Sequence, residues 1–406
     1  MEALCASKQA EFSAEEESRA NCLHPIGLSA MLQRTHRPAR IRAELGDERS
    51  YFVGAHFAAL PSSKATDTPV HKMKTQSRFL ALAIAIGVLF SLLPGDLLAS
   101  GDPSHRADSR KQIQTLKITI LSTMLVGDVT GIGEWGFSAL VEADGHRVLL
   151  DTGLHPETVL QNARDLKIDL SDVREVILTH NHGDHVGGLL TLRRELMKKN
   201  PDALSIAHVG KGIFYSRPLP DREGNKMIAI RKDYEATGGR FIEHDNWAEI
   251  FPGAYLTGPV PRKYPEHNWS QAIQVQTPDG LLEDNIPEDQ SLVLNTPQGL
   301  VVITGCGHAG IVNILTYTNA EFPDRPVYGV VGGLHLYPLT DDQLDWTGDK
   351  MKQFHVANLL GAHCTGIEAV YHLRQRVGLT RKSAVVATVG STFTLSEGIT
   401  PGELAK

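Results

Sequence analysis

Short apolar runs and helix-like spacing alternate along the chain from Leu116 onward. The first half predicts strands at residues 116–121, 137–141, 146–150 and 173–179, and helices at residues 156–166 and 186–199. Asp144-Gly145, between the second and third strands, is a strong hairpin turn signal. The fourth strand leads directly into a cluster of histidines.

The second half of the chain repeats this pattern. It predicts strands at residues 291–295, 300–304, 327–331, 356–360 and 384–389, and helices at residues 310–320 and 367–377. Two strand-rich halves with attached helices indicate an α/β fold in which sheets pack together with helices outside. Residues 211–290 are rich in Gly, Pro, Asn and Arg and lack a strong period, so we expect an irregular insertion over the sheet edge.

The start of the chain predicts an export signal. Residues 1–72 show no sustained period, and residues 73–101 combine a basic start, an uncharged apolar run and small residues, as secretory signals do. We expect translation to begin at Met73, with 1–72 an unassigned extension, 102–114 a linker, and the mature protein periplasmic or secreted. The apolar run is short for a membrane span, which needs about 20 residues. A buried helix or an uncleaved signal anchor is the alternative.

Composition narrows the function classes. The chain has 406 residues and 41% hydrophobic content, enough for a buried core. A formal charge of −7 argues against a nucleic-acid partner bound through bulk positive charge. Four cysteines exclude a disulfide scaffold, although a Cys306–Cys364 bridge after export is an alternative to two free thiols. The 18 histidines direct attention to metal chemistry.

The strongest chemical signal is Thr179-His180-Asn181-His182-Gly183-Asp184-His185, immediately after an apolar strand and before a helix. Imidazole and carboxylate groups bind zinc, manganese and iron, and a loop can direct alternate side chains at different ions. Four potential ligands within six residues therefore predict a metal site at His180, His182, Asp184 and His185.

At these residues the chain resembles the metallo-β-lactamase superfamily, whose signature is His-x-His-x-Asp-His after a strand. The resemblance implies a four-layer αββα sandwich over about residues 115–395, with metals at one sheet edge. In that family an aspartate ends an earlier strand, and Asp151 in Leu149-Leu150-Asp151-Thr152-Gly153 fits this position. Its implied role is to fix the cluster loop by hydrogen bonds.

Three further segments narrow the resemblance to the dihydropterin-synthase-like branch, which includes ribofuranosyl-aminobenzene-phosphate synthases. They are Thr304–Gly310, Gly332–Leu336 and Gly361–Gly366, and they contain His308, His335 and His363. The resemblance implies one metal held by His180, His182 and His308, and a second held by Asp184, His185 and His363. Most hydrolases of the superfamily place a bridging aspartate where this chain has Cys306. Cys306 is either a soft ligand or a small buried residue behind the ligands, and the second interpretation is favoured.

The candidate chemistry follows from a metal at a solvent-facing edge. One or two divalent ions, zinc first with manganese, iron or magnesium as alternatives, would activate water and polarise substrate oxygens. Asp184 could orient the attacking group, and His335 could contact substrate or transfer a proton. Arg262 is the best candidate to contact an anionic small-molecule substrate, because the family carries a similar Pro-Arg segment. For the basic residues of residues 211–290 as a group, a solvated basic loop is the favoured interpretation.

Three function classes remain open at this stage. The main hypothesis is a metal-dependent hydrolase of an ester, lactone or phosphoester. The alternatives are a transferase of the ribofuranosyl-aminobenzene-phosphate synthase type and a protein that binds metal without catalysis.

Overall fold

The computed structural model describes residues 110–269 and 272–406. The predicted extension at 1–72 and the predicted signal at 73–101 therefore lie outside the described residues. Among the helices of the described part, none has the length and apolar character needed to cross a membrane.

The described residues form seventeen strands and seven α-helices. The strands are β1 (Leu116–Ser122), β2 (Ser138–Ala143), β3 (His146–Leu150), β4 (Glu175–Leu178), β5 (Ile206–Gly210), β6 (Arg240–His244), β7 (Ala248–Phe251), β8 (Ala254–Leu256), β9 (Gln274–Thr277), β10 (Gly280–Glu283), β11 (Leu292–Thr296), β12 (Gly299–Thr304), β13 (Val327–Gly332), β14 (Leu359–Gly361), β15 (Ala384–Val386), β16 (Thr392–Thr394) and β17 (Gly398–Thr400). The helices are α1 (Thr158–Asp165), α2 (Gly183–Val186), α3 (Leu189–Leu196), α4 (Lys226–Glu235), α5 (Ile311–Glu321), α6 (Asp341–Gln353) and α7 (Ile367–Val377).

Two large sheets carry the fold. The first has eight strands in the order β17-β16-β1-β2-β3-β4-β5-β6, and the second has seven in the order β15-β14-β13-β12-β11-β8-β7. In the first sheet β16 pairs antiparallel with β1, with Thr394 opposite Lys117. The β2–β3 hairpin turns at Asp144 and Gly145, both at positive φ, which is the backbone that a two-residue turn of this hand requires.

Three apolar layers show how the sheets and helices stack. One cluster lies between the sheets and joins Ile118 and Ile120 of β1 to Leu292 and Leu294 of β11. A second packs the outer face of the first sheet against α1, α3 and α4, and a third packs the outer face of the second sheet against α5, α6 and α7. The predicted four-layer αββα sandwich is confirmed.

The prediction of an irregular insertion at residues 211–290 is wrong. This segment contains α4 and five strands, of which β6 extends the first sheet beside β5 and β8 pairs with β11 in the second. The strands β6 and β7 lie at sheet edges and are half exposed, so their apolar residues carry only a weak period.

The predicted limits and one predicted helix also need correction. Ile113, expected in a linker, is fully buried, and its backbone N–H donates to the Asn295 carbonyl at 2.8 Å. The last strand, β17, lies beyond the predicted end at residue 395. The helix predicted at 186–199 is shorter and corresponds to α3, Leu189–Leu196, with the separate short helix α2 before it. Gly187 and Gly188 lie between the two helices, where they approach the backbone carbonyls of Leu154 and Thr152 too closely for a side chain.

Candidate metal centre

The carboxyl ends of five strands meet at one edge of the sandwich. β3 and β4 run parallel in the first sheet, and β12, β13 and β14 run parallel in the second. In such sheets the loops after the strands form the ligand-binding face. The loops at this edge contain Asp151, residues 179–185, residues 305–308, His335 and His363.

The loop after β4 folds its histidines into contact. His182 is extended, with φ −64° and ψ 144°, and the short α2 helix begins immediately after it. This change of backbone brings the ring centroids of His180 and His185 to 4.1 Å and those of His180 and His182 to 4.6 Å. Burial lowers the pKa of His182 to about 4, which favours the neutral ring that a metal requires.

Asp151 holds this loop. Its Oδ1 accepts the Thr179 backbone N–H at 2.8 Å, and its Oδ2 accepts the Thr179 hydroxyl at 2.8 Å. The same Oδ2 lies 2.7 Å from Nδ1 of His185. In the neutral ring that a metal requires, donation from Nδ1 to Asp151 leaves Nε2 of His185 without a proton, and Nε2 lies 3.1 Å from Cys306 Sγ. Asp151 thus connects residue 179, at the start of the cluster loop, to His185 at its end.

Asp184 faces the rings of His185 and His363. Its Oδ2 lies 3.8 Å from Nε2 of His185 and 3.2 Å from Nε2 of His363, the latter without hydrogen-bond alignment. Burial raises the pKa of the Asp184 carboxyl, but these imidazoles outweigh burial and hold the pKa well below its usual range. Asp184 is therefore an ionised carboxylate at neutral pH.

Several buried ring nitrogens in this cluster have no hydrogen-bond partner among the described residues. They are Nε2 of His180, Nε2 of His308 and both ring nitrogens of His363. The other nitrogen of His308, Nδ1, faces the Asn268 carbonyl, which fixes the tautomer and leaves Nε2 as an acceptor. Buried polar atoms are normally paired, so converging lone pairs of this kind fit a divalent metal ion.

Two groupings of potential ligand atoms contain most of the predicted residues. Asp184, His185, Cys306 and His363 form one, and His180, Cys306 and His308 form the other, with all ligand atoms within 4.8 Å in each. His182 belongs to neither, although its ring centroid is 4.8 Å from that of His308. Five of the six predicted metal ligands are therefore brought together with Cys306.

Cys306 and Cys364 are both buried free thiols. Their sulfur atoms lie 3.2 Å apart, with the Cys364 S–H donating to Cys306. The two cysteines and His335 form a third, smaller grouping. The structure therefore has two thiols here and not the disulfide alternative.

The rim of the site is aromatic. His335 is half-buried, with its ring centroid 4.6 Å from that of His308 and 5.4 Å from that of Tyr337. Trp135 and Tyr337 are 44% and 54% exposed, and their rings meet edge to face at 5.5 Å. Trp135 also contacts the His363 ring at 5.0 Å. The sequence analysis missed both aromatic residues, since neither stands in a recognisable motif.

Arg262 is not part of either ligand grouping. Its Nη2 donates to the carbonyls of Asn285 and Ile286, and its guanidinium stacks over the Trp269 ring at 5.5 Å. The predicted substrate residue thus binds a neighbouring loop.

Two buried acidic residues that the sequence analysis also missed support the ligand loops. Glu288 accepts the backbone N–H of Asn181 at 3.3 Å and the Nη2 of Arg217 at 2.6 Å. Asp289 accepts the backbone N–H of Ala309 at 2.9 Å, and burial raises its pKa to about 7. The available signal was an acidic pair directly before an apolar strand.

Comparison with known proteins agrees with this architecture. Residues 135–322 match the sequence model of the metallo-beta-lactamase superfamily. The chain therefore contains a domain of the metallo-β-lactamase superfamily, as its motifs and its four layers predict.

Two related proteins and one solved structure are similar to this chain over most of their own length. It is 28% identical over 246 residues to the 7,8-dihydropterin-6-methyl-4-(beta-D-ribofuranosyl)-aminobenzene-5′-phosphate synthase of Methanocaldococcus jannaschii, covering 58% of this chain and 82% of the synthase. It is 29% identical over 248 residues to an uncharacterized protein of the same organism, covering 59% and 87%. Among solved structures it is similar to Tm1679, a metal-dependent hydrolase of the beta-lactamase superfamily, with 28% identity, a TM-score of 0.56, and 68% and 98% of the two chains covered.

Proposed function

We propose that this chain is a metal-dependent transferase that joins a dihydropterin to a ribofuranosyl-aminobenzene phosphate. The observation that carries the proposal is the similarity to the synthase of M. jannaschii, which extends over 82% of that protein. In the reaction, the amine nitrogen bonds to the methylene carbon of the pterin, the bond from that carbon to diphosphate breaks, and the amine loses a proton.

The residues of the metal centre suit a divalent ion such as zinc. His180, His182 and His308 would hold one ion, and Asp184, His185 and His363 would hold a second. When bound, such ions polarise phosphoryl oxygens and stabilise the charge that develops on a leaving diphosphate. Asp151, by fixing the tautomer of His185, keeps that ring ready to bind.

The exposed aromatic side chains at the rim of the site favour a substrate with planar rings. The exposed rings of Trp135 and Tyr337 stand beside His363 and His335, where a pterin or aminobenzene ring could stack on them. We assign His335 to the uptake of the amine proton, because it lies between this rim and His308.

The positively charged side chain of Lys226 lies near the cluster loop. Nζ of Lys226, at the start of α4, lies 3.7 Å from the position that a side chain at Gly183 would take. This ammonium group is exposed to solvent. We assign it to the phosphate groups of the substrate, the role that the sequence analysis gave to Arg262.

The test incubates the zinc-loaded chain with dihydropterin-6-ylmethyl diphosphate and the aminobenzene ribofuranosyl phosphate, and measures diphosphate and the condensed product by mass spectrometry. We expect both products only when both substrates are present, and neither from His182→Ala or from the metal-free chain. Diphosphate release that does not need the amine would refute the transferase.

A metal-dependent hydrolase is the second candidate, favoured by the similarity to Tm1679 over 98% of that chain. It predicts metal-dependent turnover of generic ester, lactone or phosphodiester substrates without an amine. A chain that binds metal tightly and converts none of these substrates would contradict both enzymatic proposals.

We also propose that residues 73–101 direct export. An exported location would favour the hydrolase, because pterin substrates of the synthase type are cytoplasmic. Fractionation of the native host, with mass spectrometry of the N-terminus, tests this. A cytoplasmic protein that retains these residues would contradict it.

A further inference from the structure

The position of Cys306 differs from that of the other residues of the candidate metal centre. Among the described residues it is the single side chain that belongs to all three groupings of potential ligands. Its loop follows β12 of the second sheet, whereas His180, Asp184 and His185 follow β4 of the first. The cysteine therefore enters the cluster from the opposite sheet, between the two sets of ligands that the proposed function assigns to two ions.

We propose that Cys306 is a metal ligand whose thiolate sulfur bridges the two ions, because it lies among the potential ligand atoms of both sets. This inference rests on the proposed metal centre. It replaces the interpretation of Cys306 as a small buried residue behind the ligands.

The distances suit a bridge. Sγ of Cys306 lies 3.1 Å from Nε2 of His185 and within 4.8 Å of the ligand atoms of His180 and His308 on the other side. Tetrahedral coordination with bonds of about 2.0 to 2.3 Å separates two ligand atoms of one ion by roughly 3.5 Å. A sulfur atom with ligands of both ions at such distances can contact both.

The backbone around Cys306 is shaped for this approach. A side chain at Gly305 would lie 2.1 Å from the Thr179 hydroxyl and 2.5 Å from Oδ2 of Asp151, so only glycine lets the loop press against the first sheet. Gly307 follows in the left-handed region, with φ 59°. The two glycines carry Cys306 between the sheets, where it is 2% exposed.

Cys364 has a different place. It belongs to neither of the two main groupings, and its S–H donates to Cys306 Sγ at 3.2 Å. Such a donor stabilises the charge of a thiolate without binding metal. Binding to Cys306 would release the thiol proton to solvent as the sulfur joins the ions, and a soft sulfur ligand favours zinc or cobalt over magnesium.

The test uses the full chain titrated with Co²⁺, followed by metal analysis and by the near-ultraviolet charge-transfer band that a cobalt–thiolate bond produces. We expect two ions per wild-type chain, and a band that grows through both the first and the second equivalent of cobalt. Cys306→Asp should keep two ions and lose the band, since a carboxylate can bridge without sulfur. Cys306→Ala should drop to about one ion.

Cys364→Ala is the matched control, because it removes a buried thiol 3.2 Å away. It should keep two ions and most of the band, and circular dichroism should show all three variants folded. A band that stops growing at one equivalent, that survives Cys306→Asp, or that disappears in Cys364→Ala would overturn the bridge.

The outcomes separate this inference from the proposed function. A chain that binds two ions with the expected band but catalyses neither reaction refutes the function and leaves the bridge standing. A catalytically active chain that binds two ions but shows no band refutes the bridge and leaves the function standing. A wild-type chain that binds no cobalt refutes both.

Discussion

We expect the substitution Asp151→Asn to leave the metal centre folded and to weaken its affinity for metal. Asp151 is fully buried in the left-handed region, with φ 55°, where asparagine is well tolerated. The Asn oxygen can replace Oδ1 as acceptor for the Thr179 N–H, so the loop should remain in place. The NH₂ group, however, would face Nδ1 of His185, and two donors cannot pair.

His185 must then accept at Nδ1 and carry its proton on Nε2, the nitrogen that faces Cys306 and Asp184. A protonated nitrogen cannot bind a metal. Losses of a partner that orients a metal-binding histidine cost about 10- to 100-fold in affinity, which corresponds to about 1.4 to 2.7 kcal/mol. We expect a loss at the upper end, because Asp151 is completely shielded from water. Replacing the charge-assisted hydrogen bond should also cost about 1.5 to 3 kcal/mol in the free energy of unfolding.

Competition with a chromophoric chelator measures the affinity, and urea denaturation of the metal-free chain measures the stability. Asp144→Asn is the matched control, since it removes the same charge at another left-handed position, in the β2–β3 turn. It should bind metal as the wild type does. An Asp151→Asn variant with wild-type affinity would refute the proposed role of this carboxylate.

Three other changes test separate parts of the structure. His363→Ala should lower the metal content from about two ions to about one by removing the ring that faces Asp184, and an unchanged content of two would contradict its role as a ligand. Arg217→Met should cost about 3 to 5 kcal/mol in urea denaturation, because it leaves buried Glu288 uncompensated, and a cost near zero would contradict this. Burial raises the pKa of Glu266 from 4.5 to about 7, so the folded chain loses stability as pH rises through that interval. Glu266→Gln should therefore gain stability relative to the wild type between pH 5 and pH 8, and a difference independent of pH would contradict the shift.

Much of the fold could be predicted from the sequence, because its buried strands are continuous apolar runs with clear turns. Residues 116–121 and 300–304 became β1 and β12 within a residue of the expected limits. The edge strands and the polar helix α6 could not be predicted. Their residues are half exposed, so no strong period separates them from loops.

The sequence predicts the part of the candidate site whose residues are neighbours along the chain. It does not predict the contacts between residues that are far apart in sequence. The cluster at 180–185 lies within a few residues, and its pattern alone indicates metal. The position of Cys306 between two sets of ligands depends on how closely the two sheets approach, which Gly305 permits. The same holds for Glu288 and its contact with Asn181, because no spacing along the chain expresses a distance across the sandwich.

The pairing of β16 with β1 has a consequence for how the protein is made. During synthesis β1 leaves the ribosome early, and until Thr392–Thr394 follows, one edge of it lacks the strand that covers it in the finished sheet. An uncovered apolar edge invites pairing with other chains, and contacts between such distant segments form slowly. The first sheet can therefore close only after nearly all of the chain has emerged. Chaperone binding to the nascent chain should matter for yield, and loss of β16 and β17 should cause aggregation through β1, far from the missing residues in sequence.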